Sequence, residues 1–418
     1  MPESLARHWR LDLEVIQLNH GSYGGVPTAV LDAQSRVRDE MEADLTLYYM
    51  ERLTPALERS RAALAPFMAC DADDLAFVTN ASQGVATIFS NVPLTTGDEV
   101  LVSHHEYASC LHQLHRDAYV RGFTVSSADL PFPLPANAND AARAITDGLL
   151  NAVNERTKLV LLSWITSSSA VVFPAESITR AIKAKAPHCR VLIDAAHAPG
   201  QIPIDLRALE AAGVDYLTGN LHKWVCAPKS SAFIWIRRGL HETGSATPSG
   251  AFEPLTLSSR AGYTPSNVSR LHHLFDYPAT ADFSAWAVVP EALDTMCAIG
   301  DELAGASGLQ GWAALRAHNN DLCRRARDLL CEAVNAEPPV PDALLAHMAV
   351  IPLPPLKNPP ATINSDPLWR RLRNEHGIQA PVWVQPGVDL RCLRISAQAY
   401  NGIGQYERLA TLLSDSIG

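Results

Sequence analysis

The stretch TGNLHKWVCAPK places Lys223 between His222 and Trp224-Val225, in surroundings that suit a protein interior. Only six lysines occur in the chain (158, 183, 185, 223, 229 and 357), and 158, 183 and 185 lie by polar, helix-like segments. A buried lysine loses solvation of its ammonium, its pKa falls, and the amine becomes a usable nucleophile or base. The competing reading is a lysine whose head snorkels out of an apolar segment. Asp194 closes the apolar run RVLID, so its carboxylate either points into a site or caps the element that follows. In NASQGVATIF, after LAFVT, small polar residues lead into a helix-like segment, and free backbone N–H groups at such a start can cradle a phosphate. A plain N-cap by Asn80 or Ser82 explains the same residues. HHEYASCLHQLH offers two chemistries: Tyr107 can present its ring face to a planar ligand, or histidines from His104 to His115 can hold a metal. His112 and His115 could share a helix face, but neither HExxH nor another spaced ligand set is present. A partly exposed helix start with polar histidines is the third reading.

The elements that must position these residues follow from the pattern. Runs fit for strands are LAFVT (75–79), EVLVS (99–103), KLVLLSW (158–164), RVLID (190–194), VDYLTG (214–219) and SAFIWI (231–236). Amphipathic segments such as ESITRAIKAKA (176–186) and DLRALEAAG (205–213) separate them. Near-continuous apolar strands alternating with helices predict a mostly parallel sheet covered on both faces, and such sheets bind ligands beyond the carboxyl ends of their strands. A helix-like region from about 284 to 335 is followed by the proline-rich PPVPDALLAHMAVIPLPPLKNPP with a strand at its centre. LRCLRISAQAYN and a terminal helix then read as a small α+β domain.

A phosphate cradle, an aromatic platform, a carboxylate and an amine all fall at one edge of one sheet. Pyridoxal phosphate needs those four: an anchor for its phosphate, a stack for its ring, an acid for its pyridine nitrogen, and a lysine for its aldehyde. No GxGxxG or GxxxxGK[ST] follows a strand, which disfavours dinucleotides and P-loop nucleotides. With 418 residues, 47% of them hydrophobic, the chain can bury a large core, in two domains. A net charge of -10 and a pI near 5.8 argue against nucleic acid or anionic membrane as partners. No apolar run is long enough to span a bilayer, and the N-terminus lacks the apolar core of a signal peptide. Eight scattered cysteines without a CxxC pair suggest reduced thiols in a cytoplasm.

The sequence resembles the class V aminotransferase superfamily of fold-type I pyridoxal phosphate enzymes, and within it the isopenicillin N epimerase-like branch. The motifs that carry the likeness are LNHGSYG, TNASQGV, HHEYAS, DAAHAPGQ, TGNLHKWVCAPK, FDYPATADFSAW and RISAQAYN, and together they span nearly the whole chain. The resemblance implies an α/β fold with a seven-stranded, mostly parallel sheet in a large cofactor domain (18–285, after an N-terminal segment 1–17), and a small α+β domain (286–418). It implies that Lys223 forms the internal aldimine, that Asp194 pairs with the pyridinium nitrogen, that His197 faces the phenolic oxygen and that Tyr107 stacks on the ring. Ala81 and Ser82, with Asn220 and His222, would hold the phosphate, and Ser167 would be a polar residue facing the cofactor. Thr280 matches a threonine that reaches the phosphate from a partner subunit, implying a homodimer with active sites at the interface. Arg394 would grip the carboxylate of an amino-acid substrate, with Asn19 and His20 beside it. The nucleophilic cysteine of the related desulfurases has no counterpart in HGIQAPVWVQPGVDL (376–390), and Cys392 reads as core. The implied chemistry starts at Cα through an external aldimine and quinonoid. C–S lysis of an S-substituted cysteine is the leading exit, with epimerisation, decarboxylation, oxidative deamination or transamination as alternatives. A metal-dependent hydrolase built on the His104–His115 cluster is the reading from another class.

Overall fold

The computed structural model describes residues 5–242, 245–247, 250–265, 268–303, 308–357 and 366–417. Its centre is a seven-stranded sheet of β1 (Leu75–Val78), β2 (Glu99–Ser103), β3 (Thr124–Ala128), β4 (Thr157–Ser163), β5 (Arg190–Asp194), β6 (Tyr216–Asn220) and β7 (Ala232–Ile236), in the order β1-β7-β6-β5-β4-β2-β3. Pairing is parallel throughout except for β7, which runs antiparallel to both β1 and β6. Because side chains alternate across a strand, each run feeds two cores. In β4 and β5, Val160, Leu162, Val191 and Ile193 enter one, while Leu159, Leu161 and Leu192 enter the other. That double burial explains the near-continuous apolar runs.

The helices that matter are α1 (Thr28–Ala43), α2 (Leu53–Phe67), α3 (Ala81–Asn91), α4 (Ala108–Arg121), α5 (Ala138–Ala152), α6 (Ala175–Lys185), α7 (Leu206–Ala212), α8 (Val289–Glu302) and α9 (Gly311–Ala333). The helix-like region from about 284 to 335 is helical in three pieces, a short Ser284–Ala287 turn followed by α8 and α9. α1 and α2 are tied to that region: Gln34 Nε2 donates to Ser284 Oγ (3.1 Å) and Arg59 Nη2 to the Ala287 carbonyl (3.1 Å). Nearby, Arg61 and Asp276 form a buried two-pronged pair at 2.6 and 3.0 Å.

A three-stranded antiparallel sheet follows, of β8 (Met348–Pro352), β9 (Val382–Val384) and β10 (Arg391–Ser396), with β10 in the middle. The last helix, Ile403–Ile417, closes the chain. The strand foreseen inside the proline-rich connection is β8, while residues 358–360 of that connection lie outside the described residues. Ile16–Gln17 pairs with Ile378–Gln379 as a separate two-stranded sheet, and the Ser396 amide of β10 donates to the Leu18 carbonyl (2.8 Å), which sets the N-terminal segment, with Asn19 and His20, beside the smaller sheet. No helix among the described residues is long and apolar enough to cross a membrane.

Candidate active site

β1, β2, β5 and β6 all end at the same edge, and the loops beyond them converge. Beyond β6 the chain turns through Leu221-His222 into Lys223, whose side chain is half-buried. Lys223 Nζ lies 3.0 Å from His197 Nε2. Burial, with the nearby Arg394 charge second, pulls the amine down from the usual lysine range to about 7. Burial also keeps His197 neutral, so the amine donates and the ring accepts. The two loops can approach this closely because of Gly200, at φ +91°: a Cβ there would press into the Trp224 backbone at 2.6 Å.

Asp194, at the end of β5, is buried, and burial raises its carboxyl above the usual range. Its Oδ1 accepts from the Ala196 amide (2.9 Å), while Oδ2 meets only the Cys110 thiol at 3.7 Å. Glu106 is buried next to it, accepting from Ser103 Oγ (3.0 Å) and Ser163 Oγ (2.5 Å) with no cation partner, and burial lifts it to about 7. Tyr107 follows as the residue before α4 and is 47% exposed. Its phenol feels the charges of Arg394 and Asp194, which places it at the same mouth.

The start of α3 is built as a cap. Asn80 Oδ1 accepts from the Gln83 amide (2.8 Å), and Gln83 Oε1 accepts in return from the Thr79 amide (2.8 Å). Asn220 Oδ1 takes the Ala81 amide (2.8 Å), locking the helix start to the end of β6. The Ser82 amide has no acceptor among the described residues. His222 Nδ1 donates to the Ser231 carbonyl (3.1 Å), which fixes the ring; burial lowers its pKa to about 4.

Arg394, on β10, is buried and pulled down to about 10 by that burial. Nη1 donates to the Ser167 carbonyl (2.6 Å) and Oγ (3.3 Å); Nη2 donates to Asn19 Oδ1 (3.1 Å) and Ser22 Oγ (2.8 Å). Nε has no partner, no carboxylate pairs with the guanidinium among the described residues, and the Trp383 ring lies 5.1 Å beneath it.

The structure thus brings Lys223, Asp194, His197, Tyr107, Asn220, His222, Ala81, Ser82, Arg394 and Asn19 to one edge. Two expectations change. His20 is not free for a substrate: Nε2 donates to the Lys223 carbonyl (3.0 Å), Nδ1 accepts from Tyr400 OH (2.9 Å), and burial drops its pKa to about 3. It braces the lysine loop from behind. Ser167 gives its carbonyl and hydroxyl to Arg394 and so serves the arginine. Thr280 is exposed and bonds Tyr277 OH (2.6 Å), with no hydrogen bond to another site residue among the described residues. The histidine cluster is divided, with His104 and His105 kept ring to ring at 4.3 Å and the other two on the helix surface. His105 enters the core on Ser169 Oγ (2.6 Å), and His112 and His115 sit on the exposed face of α4. No group of three or more metal-ligating side chains forms among the described residues. Sequence reasoning missed Ser22, Cys110, Glu106 and Trp383. Ser22 and Glu106 lie inside motifs that were singled out, but Trp383 reaches Arg394 only through the β9–β10 register.

These residues fit pyridoxal phosphate. Asp194 Oδ2 offers a buried acceptor met only by a weak thiol donor, the Ser82 amide at the start of α3 is unpaired among the described residues, and the low-pKa Lys223 amine lies within range of the Asp194 charge. The profile of the family described as aminotransferase class-V matches residues 26–269. An isopenicillin N epimerase of Amycolatopsis lactamdurans is 30% identical, over 97% of this chain and 96% of its own. A protein of Oryza sativa subsp. japonica named "Putative L-cysteine desulfhydrase 1" is 28% identical, over 94% of this chain and 82% of its own. Among solved structures, the cystine C-S lyase C-DES in complex with cysteine persulfide superposes with a TM-score of 0.76 at 19% identity, covering 96% of this chain and 98% of its own.

Proposed function

Since the chain belongs to the aminotransferase class-V family of pyridoxal phosphate enzymes, we propose that it cleaves the C–S bond of an S-substituted cysteine by β-elimination. The observation that carries this reading is a buried arginine with no acid partner, Arg394, at the same sheet edge as a neutral-leaning amine, Lys223. A cation kept in a protein interior without a counter-ion is a site for an anion, and the substrate carboxylate supplies one.

Pyridoxal phosphate, when bound, withdraws electrons from the substrate Cα and makes its proton acidic. Lys223 would hold the cofactor through its aldehyde, and its free amine would take the Cα proton, a task suited to an amine poised near 7. Asp194 Oδ2 would accept a hydrogen bond from the protonated pyridine nitrogen, and Tyr107 would supply an aromatic surface for the ring. Ser82, Ala81, Asn220 and His222 would hold the phosphate, and His197 would serve the phenolic oxygen. Arg394, steadied by Asn19, Ser22 and Ser167, fixes the carboxylate and with it the orientation of Cα. The Cβ–S bond then breaks with its electron pair leaving on sulfur, and hydrolysis releases the carbon fragment as pyruvate and ammonia.

Epimerisation is the second reading, supported by the similarity to the Amycolatopsis enzyme. It needs an acid opposite Lys223. His105 lies in the core and His112 and His115 lie on the outer face of α4, which leaves Tyr107, whose phenol burial raises further, and His104 as far-face candidates. Lysis asks for no such acid. Thr280, exposed and bonded only to Tyr277, fits a homodimer in which it completes the neighbouring site. Free thiols at all eight cysteines fit a reducing cytoplasm. Incubation with an S-substituted L-cysteine in deuterium oxide tests the proposal: lysis yields pyruvate and thiol together, whereas deuterium at Cα in unbroken, racemising substrate would overturn it.

A further inference from the structure

Arg394 accounts for a substrate carboxylate, yet the wall next to it holds further polar atoms that nothing satisfies. Trp383 lies diagonally across from Arg394 in the β9–β10 pairing, on the same face of the sheet. Its indole Nε1, a donor only, is buried and unpartnered. Gln385 stands two residues on, along the same extended segment, and so faces the same way. It is 1% exposed, its Nε2 donates to Ser168 Oγ at 2.9 Å, and its Oε1 is buried without a partner. Ser168 adjoins Ser167, the residue that holds Arg394. One loop of the large sheet therefore presses on both Arg394 and Gln385. The far end of this wall is closed by His104, which packs where a Cβ on Gly387 would strike it at 2.6 Å and whose Nε2 is also buried and unpaired.

Buried polar groups are almost always hydrogen-bonded, and a donor and an acceptor left open two residues apart on one segment mark a place for a ligand that brings both. We propose that Trp383 and Gln385 form a specificity subsite for the sulfur substituent of the substrate, selecting groups that carry an acceptor and a donor together. A carboxamide or an amino-carboxylate at the end of the S-linked chain meets that requirement, and a plain alkyl group does not. The subsite rests on the C–S lyase reading for the direction in which the substituent points. An apolar chain placed there would leave the indole N–H and the amide oxygen permanently unpaired, the costly case for buried groups.

The test uses the cofactor-loaded enzyme, wild type and the W383F and Q385L variants. Phenylalanine keeps a ring under Arg394 and removes only the donor; leucine removes the acceptor. Two ligands are compared, S-carbamoylmethyl-L-cysteine and its shape-matched partner S-isobutyl-L-cysteine, together with their carba analogues, in which CH2 replaces sulfur and elimination is impossible. Binding of the carba pair is titrated by the change in cofactor absorbance. The amide is expected to bind about tenfold tighter than the alkyl analogue in the wild type, the worth of one to two buried hydrogen bonds. In each variant that ratio falls toward one. A merely structural role for Trp383 or Gln385 would weaken both ligands alike and leave the ratio unmoved, and a wild-type preference for the alkyl analogue would equally overturn the subsite. Failure of the function is read separately. If neither sulfur compound yields pyruvate while the carba amide is still preferred, the lyase reading falls and the subsite stands.

Discussion

At the scale of single residues, the account turns on groups whose ionisation the fold has moved. In the proposed reaction Arg394 holds the substrate carboxylate with a planar fork that a lysine lacks. Arg394→Lys should lower kcat/KM by about 10- to 100-fold, mainly through KM, for every amino-acid substrate alike, consistent with the loss of about 1.5–3 kcal/mol of charge-assisted bonding. A loss confined to kcat would contradict its role as a binding group. Glu106 makes a second, independent prediction. Its folded pKa is raised to about 7, so between about 4.5 and 7 the folded protein holds a proton that the unfolded chain has released. Stability from this group is thus full below the unfolded pKa and is lost as pH rises through 7, by on the order of 3 kcal/mol. Glu106→Gln removes the titration. Denaturant melts at pH 5 and pH 8 should show the wild type losing ground to the variant as pH rises, and parallel behaviour at both would refute it. Several of these residues could be read before any coordinates existed. Asp194 ends an apolar strand and Lys223 and Tyr107 sit just past one, positions that by themselves imply a site. His20 was misplaced because its motif shows nearness to the site and not which way the imidazole faces; only the bonds to Lys223 O and Tyr400 reveal a brace.

The elements set the geometry these residues need. α3 approaches the sheet at Gly84, where a Cβ would strike Thr218 Oγ1 and Cβ on β6. Gly84→Ala should lift the helix start away from Asn220 and cost about 1–3 kcal/mol as overpacking. The measurable outcome is a lowered melting temperature together with weaker retention of cofactor on dialysis; unchanged retention would show that the cradle does not depend on α3 seating. Elements with apolar runs on both faces were readable from sequence, and six of the seven central strands coincide with such runs. β3, TVSSA, escaped because it is the edge strand, half-exposed and built from serine and threonine. Its signature is that of a loop, and only pairing with β2 makes it a strand. The Trp383–Arg394 contact was hidden for a related reason: it depends on antiparallel register, which spacing along the chain does not encode.

For the whole molecule, the position of Thr280 predicts a functional dimer that can be tested by mixing subunits. Lys223→Ala and Thr280→Ala chains, each weak or inactive as homodimers, are combined and refolded into hybrids. If Thr280 acts across the interface, one site in each hybrid carries both lesions and the other carries none, so activity returns. If Thr280 acts within its own chain, every site stays impaired and no activity returns. The central claim is that Lys223 carries pyridoxal phosphate in this chain, and the visible absorption spectrum tests it most directly. The purified protein, supplied with pyridoxal phosphate, should be yellow, the band should vanish on borohydride treatment, and peptide mass mapping should find the reduced cofactor on the Lys223 peptide. A protein that stays colourless, or a label on any other lysine, would contradict the account.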